Sequence, residues 1–241
     1  MLKFFFLSVF IFSFIMLNAQ IPEKDVFETA EGPLEIHFVG HGSLYFSFQE
    51  KIIHVDPYSK VADYARLPKA DLIMITHEHR DHLDTIAMNA VMKENTEILL
   101  TEICFGILQK GKVIRNGEKT ELLELPIEAV PAYNIVHKRD NGQPFHPKGA
   151  GNGYVIRFAD LNVYVGADTE NIPEMAELQN IDVAFLPMNL PYTMTPEMVA
   201  LAARSFKPGI LYPYHFGQTN TAELVKLLAD TPEVEVRIRK F

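Results

Sequence analysis

The chain has 241 residues, of which 48% are hydrophobic and 22% are charged, and its formal net charge at pH 7 is −9. This length and composition are typical of one large soluble domain with a sizeable hydrophobic core. The excess of negative charge argues against nucleic acid as a partner, because binding to a phosphate backbone needs a basic surface.

The N-terminus has the pattern of an export signal. Lys3 supplies a positive charge, residues 4–17 are apolar apart from two serines, and the small residue Ala19 follows. A membrane anchor is the alternative, but this apolar run is shorter than the roughly 20 residues that span a bilayer. We therefore expect a signal peptide over residues 1–19 and a single mature domain over residues 20–241. The mature domain would be periplasmic or extracellular, with no stable membrane anchor.

The first half of the chain is predicted to be rich in strands. Residues 21–33 are polar and are expected to form a loose lead-in to the fold. Alternating apolar residues between turn signals then predict an antiparallel meander, and the apolar run at residues 71–75 predicts a buried strand. The predicted strands span residues 34–39, 44–48, 52–55, 71–75 and 98–100, and the predicted helices span residues 87–93 and 103–109.

Strands alternate with helices in the second half. Residues 134–153 are rich in glycine, proline and histidine and are predicted to be a long functional loop. Thr195 is expected to cap a helix that begins at Pro196. Further predicted elements are strands at residues 154–158, 161–165, 183–186, 210–214 and 234–238, and a helix at residues 221–229. Two sheets with helices on their outer faces would accommodate this order.

The segment Thr76-His77-Glu78-His79-Arg80-Asp81-His82 directly follows the predicted strand at residues 71–75. In extended chain, residues two apart point the same way, so His77 and His79 can converge on one point. Asp81 and His82 are then free to serve a second point nearby. Neutral imidazole and carboxylate suit zinc, iron or manganese. A solvated polar loop is the alternative, but three of the nine histidines in one loop at a strand end favour a metal site.

Asp168 and His215 also follow apolar runs directly. Residues at strand ends on one edge of a fold can gather into a single cleft, even when they are far apart in sequence. We therefore expect Asp168 and His215 to join the histidine loop in one site.

These residues resemble the metallo-β-lactamase fold superfamily, whose signature is His-x-His-x-Asp-His. More narrowly, the chain resembles the branch that includes L-ascorbate-6-phosphate lactonase and related metal-dependent hydrolases. Supporting pieces are Gly40-His41-Gly42-Ser43, Val55-Asp56-Pro57, Ala167-Asp168-Thr169, Leu186-Pro187 and Pro213-Tyr214-His215. The resemblance implies an α/β (α+β) fold, a four-layer αββα sandwich.

The resemblance also implies a centre for one or two divalent transition metals, with zinc expected first and manganese or iron as alternatives. The implied ligands are His77 and His79 for the first metal, Asp81, His82 and His215 for the second, and Asp168 as the bridge between them. Asp81 is also the implied catalytic carboxylate, which takes a proton from the nucleophile or orients it. Two neighbouring cations can hold a hydroxide and polarise the bond that it attacks.

Three positions need separate interpretation. In this branch the first metal usually has a third histidine, where this chain has Asn134. Asn134 as a weak oxygen ligand, water, or a histidine of the following loop could complete the site, and we include His146 among the predicted ligands. Asp56 and His41 are turn residues by context. By resemblance, Asp56 orients a ligand histidine and His41 lies in the cleft.

We expect a metal-dependent hydrolase that uses metal-bound hydroxide on a small ester, lactone or phosphoester. The alternative is a non-catalytic metal- or ligand-binding envelope protein with a degraded site, which Asn134 favours. Lys138, Arg139 and Lys148 put positive charge on the long loop. Such charges usually belong to a solvated surface, but they could also receive an anionic small-molecule substrate.

Overall fold

The computed structural model describes residues 22–241, and the predicted signal peptide over residues 1–19 lies outside this range. Two seven-stranded β-sheets pack face to face, and α-helices cover their outer surfaces. Within residues 22–241, every helix is too short or too polar to cross a lipid bilayer.

The first sheet contains its seven strands in chain order. They are β1 (Glu23–Thr29), β2 (Gly32–Gly40), β3 (Ser43–Phe48), β4 (Lys51–Val55), β5 (Leu72–Met74), β6 (Glu97–Leu100) and β7 (Lys112–Val113). The first four strands are antiparallel, and β4 to β7 are parallel. A 3₁₀ turn at Tyr64–Arg66 and the helices α1 (Thr85–Val91) and α2 (Glu102–Leu108) lie in the parallel part, as its crossover connections require.

The second sheet repeats this arrangement. Its strands are β8 (Lys119–Leu122), β9 (Leu125–Ala132), β10 (Gly151–Phe158), β11 (Leu161–Val165), β12 (Val183–Pro187), β13 (Ile210–Tyr214) and β14 (Glu235–Val236). Antiparallel pairing from β8 to β11 gives way to parallel pairing from β11 to β14. The crossovers carry a 3₁₀ turn at Pro173–Glu177 and the helices α3 (Pro196–Phe206) and α4 (Thr221–Leu227).

The central parallel strands β5 and β12 are buried on both faces, which explains their continuous apolar sequences. In β5, Leu72 and Met74 point into the core between the sheets, whereas Ile73 packs in the outer layer against α1 and α2. In β12, Phe185 likewise belongs to the central core and Ala184 to the layer under α3 and α4. The result is the four-layer αββα sandwich that the sequence predicts, and the predicted fold class is confirmed.

Two sequence predictions about the fold are wrong. The expected loose lead-in is the edge strand β1, paired with β2 along its whole length. An edge strand needs few apolar side chains, and Asp25 is held there by Arg239 Nη2 at 2.7 Å. The predicted loop over residues 134–153 is three residues shorter, because β10 begins at Gly151. Gly153, in β10, allows close packing of the backbone, because a Cβ there would lie 3.0 Å from the Val165 carbonyl oxygen.

Candidate metal centre

The ends of five strands meet at one edge of the sandwich and carry the polar side chains of the site. His41 follows β2, Asp56 follows β4, and the histidine loop from His77 to His82 follows β5. Asp168 and His215 follow β11 and β13 of the second sheet. The sequence prediction that these strand ends share one cleft therefore agrees with the structure, and both sheets contribute to it.

Two groups of potential ligand atoms lie next to each other and share Asp168. The first group is His77, His79, His146 and Asp168, and the second is His82, Asp168 and His215; within each, the atoms lie within 4.8 Å of one another. Asp168 Oδ2 lies 3.2 Å from His146 Nε2 and 3.9 Å from His77 Nε2. Its Oδ1 lies 3.6 Å from Nε2 of both His82 and His215. One carboxylate thus faces both groups, as a bridging ligand would.

A third group contains a residue that the sequence interpretation did not count as a ligand. His41 Nε2 donates a hydrogen bond to Asp81 Oδ2 at 2.8 Å, and the same oxygen lies 3.6 Å from His215 Nε2. The ring centroids of His41 and His215 are 3.8 Å apart. The sequence signal for His41 was the glycine on each side of it, Gly40 and Gly42. In the structure, a Cβ at Gly42 would lie 3.0 Å from His82 Cε1. Only glycine lets the backbone pass so close to these rings.

The buried atoms that face one another lack partners. Within the described chain, Nε2 of His77, His82, His146 and His215 and Oδ1 of Asp168 are buried without a hydrogen bond. Buried polar atoms normally have partners, since leaving them unpaired costs free energy. Four imidazole nitrogens and a carboxylate oxygen that converge in this way form a donor set suited to a transition metal. The residues present therefore fit the group that the sequence predicts.

Asp56 orients His82 directly and His77 through Thr76. Its Oδ2 accepts hydrogen bonds from His82 Nδ1 at 2.7 Å and from Thr76 Oγ1 at 2.6 Å. Thr76 Oγ1 in turn lies 2.9 Å from His77 Nδ1 and can accept its proton. When Nδ1 carries the ring proton, Nε2 is a free electron-pair donor that faces the cluster. This contact supports the orienting role that the resemblance implies for Asp56.

Electrostatics leave the carboxylates charged. Burial alone would raise the pKa of Asp168, but the imidazoles of His215 and His82 hold that pKa well below its usual range. Burial alone would lower the pKa of His82, yet the carboxylates of Asp168 and Asp56 raise it to about 9. Burial and the neighbouring His82 lower the pKa of His77. A buried site that holds ionised Asp168 attracts positive charge, which a divalent cation can supply in place of protons.

Asn134 points at His146 and not at the cluster, an arrangement that does not support the alternative of Asn134 as an oxygen ligand. Its Oδ1 accepts from His146 N at 2.8 Å and from His146 Nδ1 at 2.6 Å. Its Nδ2 donates to Glu170 Oε1 at 3.0 Å and to the Tyr192 carbonyl at 2.9 Å. His146 presents Nε2 to Asp168 from this position, whereas His137 is bound to Glu170 instead. Sequence reasoning missed Glu170, for which no local motif gives a signal.

A cleft of about 620 Å³ opens beside His41. Apolar side chains form much of its wall, among them Phe38, Tyr45 and Phe216. Its charged residues are of both signs: Arg66, Lys240, Glu23 and Asp63. His41 connects the cleft to the histidine cluster, because it lines the cleft and also contacts Asp81 and His215. Asp81 is more accessible than Asp168, with 34% of its side chain exposed against 5%.

Comparisons with known proteins agree with this geometry. The chain is 49% identical to a protein of Parabacteroides distasonis, assigned as a metal-dependent hydrolase, whose crystal structure superposes with a TM-score of 0.87 over 91% of this chain and 99% of that one. It is 28% identical over 221 residues to a UPF0173 metal-dependent hydrolase of Pyrococcus horikoshii, covering 84% of this chain and 96% of that protein. The metallo hydrolase Igni18 of Ignicoccus hospitalis shares the fold, with a TM-score of 0.71, 24% identity and coverage of 86% and 95%.

The similarity to the branch of L-ascorbate-6-phosphate lactonase remains a prediction. Membership of the wider family is shown, because a family model described as the Beta-lactamase superfamily domain matches residues 35–215. This range runs from β2 to His215 and includes all of the residues that face the cluster. The chain therefore belongs to the metallo-β-lactamase superfamily.

Proposed function

We propose that this protein is a hydrolase that uses one or two divalent transition metals to cleave a small ester, lactone or phosphoester. The observation that carries the proposal is the convergence of four buried, unpaired imidazole nitrogens on the two oxygens of Asp168. Zinc is the first candidate, because imidazole and carboxylate donors suit it, and manganese and iron are alternatives.

The proposed ligands follow the first two groups, with Asp81 of the third group added to the second. His77, His79 and His146 would hold the first cation, Asp81, His82 and His215 the second, and Asp168 both. Such cations, when bound, would polarise the scissile bond and lower the pKa of a water molecule toward neutrality.

Asp81 is the proposed catalytic carboxylate. Its side chain is partly exposed to solvent, and neighbouring side chains keep it ionised. Burial alone would raise its pKa, but the neighbouring imidazoles of His215 and His41, the latter through a hydrogen bond, hold that pKa far below its usual range. Ionised Asp81 can therefore accept a hydrogen bond from the attacking water and orient it, while His41 fixes the direction of the carboxylate.

The cleft beside His41 supports a small-molecule substrate, because its volume of about 620 Å³ lies within the range of ligand pockets. An anionic substrate stays part of the proposal, because Arg66 and Lys240 line the cleft beside the acidic Glu23 and Asp63, and neither cation forms an ion pair among residues 22–241. Lys148 does not contribute, since its Nζ is bound to Glu174 Oε1 at 2.6 Å. We further propose, from residues 1–19, that the protein acts outside the cytoplasm.

The experiment combines metal analysis with a substrate screen. Protein purified without chelators would be analysed for zinc, manganese and iron, reloaded with each metal, and assayed with p-nitrophenyl esters, lactones and bis(p-nitrophenyl) phosphate. We expect one to two metal ions per chain and turnover of at least one class. A protein that takes up no metal would refute the proposal. Bound metal without turnover of any class would favour the non-catalytic binding protein instead.

A further inference from the structure

Glu170 is a buried carboxylate that lies outside the cluster, two residues after Asp168. It is completely inaccessible to solvent. Its oxygens accept five hydrogen bonds from one short segment of the long loop. The donors are Ile135 N, Val136 N, His137 N and His137 Nδ1, each at 2.7 Å, and Asn134 Nδ2 at 3.0 Å.

Three consecutive backbone N–H groups that point at one anion form a nest, a common anion-binding arrangement. The chain fills this nest with its own carboxylate. Apolar contacts contribute little to holding the segment, because 45% of Ile135 and 67% of Val136 are exposed. The position of residues 134–137 therefore depends mainly on Glu170.

The fixed segment in turn determines where His146 points. Asn134 Nδ2 donates to Glu170 and to the Tyr192 carbonyl, and this orientation directs its Oδ1 at the backbone N and the Nδ1 of His146. The ring proton of His146 is then on Nδ1, and its Nε2 faces Asp168 Oδ2 at 3.2 Å. Two electron-pair donors at this distance repel each other unless a proton or a cation lies between them.

We propose that Glu170 is a positioning residue of the metal centre: through Asn134 it holds His146 as the third imidazole of the first metal position. Glu170 does not touch the metal itself. The inference rests on the proposed function in that the cluster binds metal. Since coupling is reciprocal, filling the first position also orders residues 134–147.

The test compares zinc affinities by chelator competition in wild type, Glu170→Gln, His146→Ala and the double variant. A glutamine keeps the shape, but its NH₂ group faces N–H donors that it cannot accept from. We expect Glu170→Gln to weaken one of the two zinc ions about 10- to 100-fold and to leave the other unchanged. As a control, Glu177→Gln removes the same charge from an exposed position in the 3₁₀ turn Pro173–Glu177 and should change neither zinc affinity.

The double variant separates positioning from general damage to the fold. If Glu170 acts through His146, Glu170→Gln should not weaken zinc binding further in a protein that already carries His146→Ala. Hydrogen exchange at the amides of residues 135–137 should quicken in Glu170→Gln, and zinc should slow it in wild type. If Glu170→Gln does not fold, Asn134→Ala breaks the same connection and should show the same selective loss.

The possible failures are distinguishable. A wild-type protein that takes up no zinc would overturn the proposed function and this inference with it. Two zinc ions bound with unchanged affinities in folded Glu170→Gln would overturn the inference alone, as would equal weakening of both ions or additive losses in the double variant.

Discussion

Adding one methyl group at Gly42 should weaken the binding of a metal by His82 and His215 without unfolding the protein. A Cβ at this position would lie 3.0 Å from His82 Cε1 and 3.2 Å from His215 Cδ2, where ordinary contacts begin at 3.4 Å. The His82 ring cannot move freely, because it is completely buried and its Nδ1 is bound to Asp56 at 2.7 Å. Either the ring is displaced and this bond is strained, or the turn that carries His41 shifts.

The size of the effect follows from the bond to Asp56. A hydrogen bond to a charged group contributes about 1.5–3 kcal/mol, and each 1.4 kcal/mol is a factor of about ten in affinity. We therefore expect Gly42→Ala to weaken the second metal about 10- to 100-fold, with the first metal affected less. The assay is zinc titration against a chromophoric chelator, with circular dichroism to establish that the variant is folded.

Gly106 provides a matched control. It lies inside α2, and a Cβ there would meet nothing within 4 Å in the described part of the chain. Gly106→Ala adds the same methyl group and should leave both metal affinities unchanged, while it stabilises the helix by about 0.5–1 kcal/mol. Unchanged zinc binding in Gly42→Ala, or equal losses in both variants, would refute the reasoning about close approach at Gly42.

Three further predictions concern other parts of the molecule. Asp81→Ala should abolish hydrolysis and weaken the second metal, whereas His37→Ala should retain full metal content; equal metal loss would mean that the site is misplaced. Arg66→Met should raise the KM for bis(p-nitrophenyl) phosphate several-fold and leave the KM for a neutral p-nitrophenyl ester unchanged, and equal effects on both substrates would argue against a role for its charge. Burial lowers the pKa of His54 from 6.5 to about 4. As pH falls from 6.5 to 4, the unfolded state gains a proton that the folded state does not, so about 3 kcal/mol of stability should be lost. Urea unfolding should show a smaller loss over this range in His54→Phe, and identical pH profiles would contradict the prediction.

Sequence patterns identified the elements whose environment is uniform along their length. The strands Leu161–Val165 and Ile210–Tyr214 match their predicted bounds, because both are buried on two faces and end at a change to polar residues. Thr195 caps α3 through a bond from Met198 N, as its sequence context indicates. The edge strand β1 was missed because its partner β2, and not its own composition, makes it a strand.

The candidate site likewise has parts that are visible in the sequence and parts that are not. The histidine loop is a local motif, and its position after a buried strand is visible in the sequence. The relation of Asn134 to His146 is not, because it joins residues 12 apart through a loop whose shape depends on Glu170. The pairing of His41 with Asp81 spans 40 residues and needs the sheet to bring the two together. Such contacts arise from tertiary structure and leave no periodic trace.

The order of strands has a consequence for how the protein acquires its site during folding. In both sheets each strand pairs with its neighbour along the chain, so each half can assemble through contacts between nearby segments, which favours rapid formation. The cluster, however, takes His77, His79, Asp81 and His82 from one half and His146, Asp168 and His215 from the other. It can form only when the two halves dock. A cation bound by residues of both halves would stabilise the docked state against separation of the halves. The time course of metal uptake during refolding would then report when the halves dock.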